Sequence, residues 1–382
     1  MLQSLIVYGG LAFLMWWFGT IAAKRELTNI RLHKETSFWT WEMILPILLF
    51  AFISGVRWKV GTDHQSYLNG YMALIHGTET RELEGAFMYF SQLFAYLNLH
   101  FTFFFGFWAF LQISFMYLTF KNERYLLPYI GIIIVFGGYY IGWMNGIRQT
   151  IAACIFVFSI QFITKRKPIQ YFLFIFLAFL FHKSAIILSV FYFIPQYNYF
   201  KNRYVNLGLL LLAVIIGSSP TWIGLLGNLE GVLHLIGYED YADKLDYWIL
   251  ERSKEMSLGP RRLSRIFLMG FLVWYHPQLK QIYKNTNYQV FFNFAFIGAL
   301  LHNLLANTGH IFLRPVSYFT IFTIPATAYL LHYLQHKKFR ELPIVYIAVL
   351  LLVISYIFVA IVSERRLGDL DWTNYKFFWD YV

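Results

Sequence analysis

Apolar runs close to twenty residues long recur from one end of this 382-residue chain to the other, and they limit its fold more than any other feature. About twenty residues of helix cross the ~30 Å of hydrocarbon in a bilayer. Lipid offers no hydrogen bonds, so chain that crosses it must satisfy every backbone N–H and C=O internally, as a helix does. The runs lie at 3–22, 41–56, 101–120, 126–144, 148–163, 206–226, 263–275, 289–306, 310–334 and 343–362. With 58% hydrophobic and 13% charged residues, the chain is too apolar for an ordinary soluble domain. The expected fold is all-α, a polytopic integral membrane protein built as one transmembrane domain over 1–382. The first run has no basic segment before it and is followed by Lys24 and Arg25, so it reads as a permanent span and not a cleaved signal. Cys154, the only cysteine, excludes a disulfide or a thiolate metal site within one chain.

Basic residues in short loops favour the cytoplasm. The clusters Lys24/Arg25/Arg31/Lys34, Lys121/Arg124, Lys165/Arg166/Lys167, Lys201/Arg203, Lys280/Lys284 and Lys337/Lys338/Arg340 are all assigned there. This parity requires 171–195 to cross an even number of times. Two half-length helices, 171–181 and 184–194, turning at His182-Lys183-Ser184, satisfy it; one long span is the alternative. With the two halves the count is twelve passes, with both termini outside and external loops at 57–100 and 227–262; one long span would make it eleven. The cytoplasmic loops hold 16 Lys and Arg against 5 Asp and Glu, and the rest of the chain holds 15 of each. The basic excess therefore sits on one face, and a pI near 9.4 calls for no nucleic-acid partner.

Four polar islands interrupt the apolar pattern, and charge at membrane depth marks function by default. In the first, Thr62 and Gln65 have capping-box spacing, which predicts a helix from Thr62 to about Gly77. Asp63, Tyr67 and Tyr71 then share one face. Arg57 and Lys59 flank that helix start, and free N–H groups with two cations make a seat for phosphate. The bland reading is that Asp63 pairs with Arg57 or Lys59 and holds the loop. The same cations would weaken Asp63 as a base. In the second island, Asn145 is expected to cap a helix running to Ile163, with Gln149 on its face and Arg148 in the first turn. The third is His182-Lys183-Ser184. In the fourth, His310, Arg314 and Tyr318 fall at i, i+4 and i+8, and Pro315 is expected to kink or restart the helix after Arg314.

The islands supply five cations, Arg57, Lys59, Arg148, Lys183 and Arg314, against one nearby carboxylate, Asp63. Such an excess calls for an anionic ligand, best a phosphate or diphosphate. No carboxylate cluster or close His pair offers metal-ligand spacing, so no metal or cofactor is expected.

The order R-x-x-x-G-T-D-x-x-x-Y, N-x-x-R-Q, A-x-x-F-H-K-S and a late R-x-x-x-Y resembles the EpsG family of Wzy-type polysaccharide polymerases. Here those elements are Arg57–Tyr67, Asn145–Gln149, Ala178–Ser184 and Arg314–Tyr318, and the resemblance runs from about residue 40 to the C-terminal tail. His64 stands where an aromatic is more usual. The resemblance implies a GT-C-like glycosyltransferase in the bacterial inner membrane. Its substrates would be polyprenyl-diphosphate-linked oligosaccharides, joined on the outer face into capsule, O-antigen or exopolysaccharide. Membrane lipids surround such an enzyme, and a chain-length regulator and a flippase are its expected partners. The acceptor hydroxyl in such a reaction needs a base, and Asp63 is the expected one, with a neutral His182 or His310 as the alternatives. Arg57, Lys59, Thr62, Tyr67, Asn145, Arg148, Gln149, Lys183, Arg314 and Tyr318 would bind diphosphate and substrate. Two other functions stay open: a ligase using the same lipid donor, and a transporter or flippase of lipid-linked sugars.

Overall fold

The computed structural model describes residues 2–78, 84–194, 196–219, 221–222, 259–307, 310–339, 342–367 and 374–380. These are helical almost throughout. The strand pairing among them is a two-residue hairpin, Lys338–Phe339 with Leu342–Pro343, and one bridge between Arg57 and Phe377. Leu2–Arg31, Phe101–Thr119 and Ile147–Thr164 are each long and apolar enough to cross a membrane, and a bent pair, Arg124–Phe136 with Tyr139–Asn145, makes a fourth candidate. This is a membrane protein. Hydropathy nevertheless overstates the uninterrupted spans, because averaging side chains over a window does not register where the backbone breaks. The run at 126–144 turns by 67° at Gly137-Gly138, where Gly138 has φ 75. The run at 310–334 is two helices, and its break lies at 321–322, not at Pro315. Pro315 forfeits one hydrogen bond early in its helix, a modest cost there, and the Ser317 hydroxyl donates to the Arg314 carbonyl at 2.6 Å. Most of the expected external loop 227–262 lies outside the described residues.

The chain forms two compact units, one of residues 1–195 and 331–382 and the other of 196–330. The first contains α1 (Leu2–Arg31), α2 (Trp41–Gly55), α3 (His64–Ile75), α4 (Gly85–Tyr96), α5 (Phe101–Thr119), α6 (Leu127–Phe136), α7 (Tyr139–Asn145), α8 (Ile147–Thr164) and α9 (Pro168–Phe181). Small residues let these helices approach closely, as membrane helices need in the absence of a hydrophobic drive. Gly19 lies against the backbone of Leu127 and Pro128, Met15 covers Gly131, and Tyr8 packs edge-on to Tyr140 at 5.6 Å. These contacts make α1 antiparallel to α6–α7. Gly55 lies against Thr102 and Gly106, which makes α2 antiparallel to α5.

Each end of this unit is tied by polar contacts. At one end the buried Arg124 meets Glu42 at 3.7 Å and the Ser37 carbonyl at 2.6 Å. Its backbone N–H donates to Glu26 at 2.8 Å, and Arg25 pairs with Glu42 at 3.0 Å. At the other end the last described segment docks on the first. Tyr375 N–H donates to Ser4 Oγ at 2.8 Å, and its hydroxyl to the Ile53 carbonyl at 2.6 Å. Trp58 N–H donates to Lys376 O at 2.8 Å and Phe378 N–H to Val56 O at 3.0 Å. The 168–192 stretch is a hairpin. After α9 the chain turns at His182 and returns as a 3-10 helix, Lys183–Tyr192, with the Tyr171 hydroxyl on the Leu188 carbonyl at 2.6 Å. The second unit holds α10 (Arg203–Gly217), α11 (Pro260–Ile282), α12 (Tyr288–Leu304) and α13 (His310–Thr320), followed by α14 (Thr323–Leu334).

Candidate functional site

The first island leaves α2 through a loop in which Lys59 (φ 53) and Gly61 (φ 92) are left-handed. That turn swings Arg57 inward, to 1% exposure. Its guanidinium donates to the Ser54 carbonyl at 2.7 Å and the Met144 carbonyl at 3.3 Å, and lies 4.6 Å from the Phe105 ring centre. Both carbonyls belong to last turns of helices, α2 and α7, where no helical N–H reaches them and the dipole is negative. Arg57 makes no ion pair among the described residues. Burial lowers its pKa to about 10, so it keeps its charge at neutral pH.

The expected capping box is absent. Asp63 already has helical backbone angles, so its carboxylate cannot fold over the first N–H groups, and the helix begins at His64. Thr62 reaches only the Asp63 carboxylate, at 3.4 Å, and Gln65 bonds Asn69 instead. The helix ends at Ile75, with Gly77 left-handed beyond it. His64 is 1% exposed and stacks on Phe105 at 4.6 Å. Burial and the Arg57 charge push its pKa down to about 3, so it is neutral and fills an aromatic's place.

In the second island, Asn145 ends α7 instead of capping α8, and Gly146 takes the cap position. The break strands carbonyls that a continuous helix would satisfy. Gln112, from the middle of α5, donates to one of these, Trp143 O, at 3.2 Å and also to Ile147 O in the first turn of α8 at 3.3 Å, and Arg57 serves Met144 O. A side chain at Gly61 would strike the Asn145 amide, so the first loop rests directly on the break. Arg57, Gly61 and Gln112 thus hold the turn from which Arg148 projects.

Arg148 meets a carboxylate that did not figure among the candidates. Glu84, at the start of α4, pairs through Oε2 with Arg148 Nη1, and its Oε1 lies 2.9 Å from His182 Nδ1. The Tyr67 hydroxyl accepts from Arg148, and the Phe87 ring lies 5.9 Å from the guanidinium. Burial raises the Tyr67 phenol's pKa against the opposing pull of Arg148. Side-chain exposure is 10% for Glu84, 23% for Arg148 and 24% for His182, so the group is sunk but open. Four separate elements, α3, α4, α8 and the end of α9, meet here. The expectation of Asp63 as the only nearby carboxylate is corrected. The signal for Glu84 was an acid directly before an amphipathic helix, the last of three in Glu79, Glu82 and Glu84; for Gln112 it was an amide in mid-run.

The remaining candidates differ in exposure and in the unit to which they belong. Lys59, Thr62 and Lys183 are exposed, and Asp63 and Gln149 are half-buried. His310, Arg314 and Tyr318 belong to the second unit. All three fall within one helix, α13; Arg314 is exposed, Tyr318 is 1% exposed, and the His310 side chain lies outside the described ones. Among the described residues no group of three His, Cys, Asp or Glu is gathered that could hold a metal ion.

A family model described as the EpsG family matches residues 40–377. No curated protein and no solved structure matches the chain. The match spans most of the sequence, and the chain belongs to the EpsG family, whose role is of the polysaccharide-polymerase type.

Proposed function

We propose that this EpsG-family chain joins polyprenyl-diphosphate-linked oligosaccharide repeat units into a surface polysaccharide. The observation that carries the reading is the meeting of three islands, 57–67, 145–149 and 178–184, from distant stretches of sequence, around one Arg–Glu–His group. A cation and a histidine held by one carboxylate suit glycosyl transfer from a diphosphate. The sugar C1–O bond to phosphate breaks, and the lipid diphosphate leaves with the electron pair. An acceptor hydroxyl on the incoming lipid-linked unit forms the new bond and gives its proton to a base. Arg148 receives the developing negative charge, which in a low-dielectric site is the largest lever on rate. Lys59 and Lys183 add positive charge, while Thr62, Tyr67, Asn145 and Gln149 contact substrate. Arg57 acts from behind, as a brace. His182 is the base we favour over Asp63 and His310, because its Nδ1 lies 2.9 Å from Glu84 within the group.

In this reading the enzyme is GT-C-like and makes twelve passes of the cytoplasmic membrane, the two halves of 168–192 included. Its site faces outward, and it needs no metal because Arg and Lys receive the diphosphate. The test mixes purified protein with polyprenyl-diphosphate repeat units, without nucleotide sugar, and separates products on a gel. A ladder of chain lengths, lost in Arg148→Lys, is expected. Attachment to a different acceptor would make the protein a ligase. Unchanged substrate, with lipid crossing the bilayer of liposomes, would make it a transporter.

A further inference from the structure

We propose that Glu84 is the positioning carboxylate of His182, and that a lipid diphosphate releases it for that task by drawing Arg148 away. The inference rests on the polymerase reading and specifies how its site is regulated by substrate.

Both oxygens of Glu84 are engaged, one by Arg148 Nη1 and the other by His182 Nδ1. An Nδ1–H donating to a carboxylate puts the imidazole's basic lone pair on Nε2 and stabilises the imidazolium that forms when Nε2 takes a proton. That help depends on the carboxylate's charge, and with Arg148 in place the guanidinium cancels most of it. The groups facing His182 include Glu84 from α4 and Arg148 from α8, with Tyr67 from α3 behind Arg148 and Lys183 next in the chain.

A diphosphate competes directly for Arg148. It offers more negative charge than one carboxylate, and a guanidinium grips phosphate in the same forked geometry it uses for a carboxylate. Arg148 also carries an Nε with no hydrogen-bond partner, a donor that Glu84 leaves unused. As Arg148 turns to the diphosphate, the full Glu84 charge falls on the Nδ1–H of His182. The base is strengthened when a donor is bound and stays weak when the site is empty, which protects the substrate-free enzyme from proton traffic. The proton lost by the acceptor hydroxyl goes to Nε2, and the electron pair of the broken C1–O bond stays with the diphosphate.

Glu84→Gln tests this, since it keeps shape and one hydrogen-bonding oxygen but removes the charge. The expected result splits binding from turnover. Polyprenyl diphosphate, used alone as the probe, binds more tightly than to the unaltered protein, because Arg148 no longer has a competitor. Meanwhile kcat falls on the order of 100-fold, and the acid limb of the kcat–pH profile moves to lower pH. Glu84→Asp, which keeps the charge at a shorter reach, restores part of kcat. Loss of binding and turnover in equal proportion, with a lowered thermal midpoint, would mean that Glu84 only holds the fold and would overturn the proposal. Unchanged kcat would overturn it too. If the unaltered protein binds the probe yet makes no polymer, the polymerase reading fails by itself. Tighter binding by Glu84→Gln would still reveal the competition for Arg148, and equal or weaker binding would refute it.

Discussion

At the scale of single residues, the same motif letters perform two kinds of work. Arg148 faces an open group, whereas Arg57 is buried and donates to two helix-end carbonyls. A guanidinium has five donors in a fixed fork, so one side chain can serve two helices without a carboxylate nearby. His64 stands where an aromatic is more usual, and against Phe105 its ring serves as an aromatic plate. This has a consequence for acid stability. In the unfolded chain an imidazole protonates near 6.5, while in the fold His64 stays neutral down to about 3. Between those values the unfolded state holds the extra proton, so stability falls as pH drops from about 6.5 towards about 3. His64→Phe keeps the stack and is expected to flatten the part of that loss due to this site, measured as the thermal midpoint in detergent at pH 7 and pH 5. An unchanged pH slope would mean that His64 does not contribute to it.

Among the elements, the broken helices define the site. Gly138 lets the chain turn, Gly146 ends the next short helix, and each interruption frees carbonyls that other elements must satisfy. Gln112 and Arg57 do so, and the same contacts fix where Arg148 begins α8. The terminal segment has a comparable role. Residues 374–380 lie along the loop after α2, with backbone bonds on both sides of Arg57 and the Tyr375 hydroxyl on Ile53 O. Tyr375→Phe is expected to cost about 1 kcal/mol of stability, the usual worth of one such hydrogen bond. Deleting 374–382 should cost several-fold more and abolish polymer formation, because the loop that braces Arg148 loses its support. Full activity of the deletion in a gel assay would show that the loop stands without the tail.

For the whole molecule, the alternation of helices separates two chemical ends in the first unit. Arg25, Glu26, Glu42 and Arg124 meet at one, and the 57–61 loop, Ser4 and the terminal segment at the other. With the basic end inside, Lys59→Cys and Lys183→Cys should react with a membrane-impermeant maleimide on intact cells. Arg166→Cys should react only after permeabilisation. The opposite pattern would invert the orientation and, with it, the site of polymerisation.

What the sequence determined by itself was the solvent and the class. Runs of apolar residues cannot sit in water, and backbone in lipid must be helical, so membrane helices followed from composition and length. The islands also announced themselves, since Arg148 and His182 stand out against apolar neighbours, and the hairpin at 171–195 followed from the parity of basic loops. The partners of those islands were not readable. Glu84 is 64 residues from Arg148 and 98 from His182, and an ion pair leaves no periodic trace in a sequence. The direction of Arg57, the breaks at 137–138 and 321–322, and the loss of the capping box were equally hidden. Each depends on which carbonyls and charges neighbouring helices present, and only tertiary packing decides that.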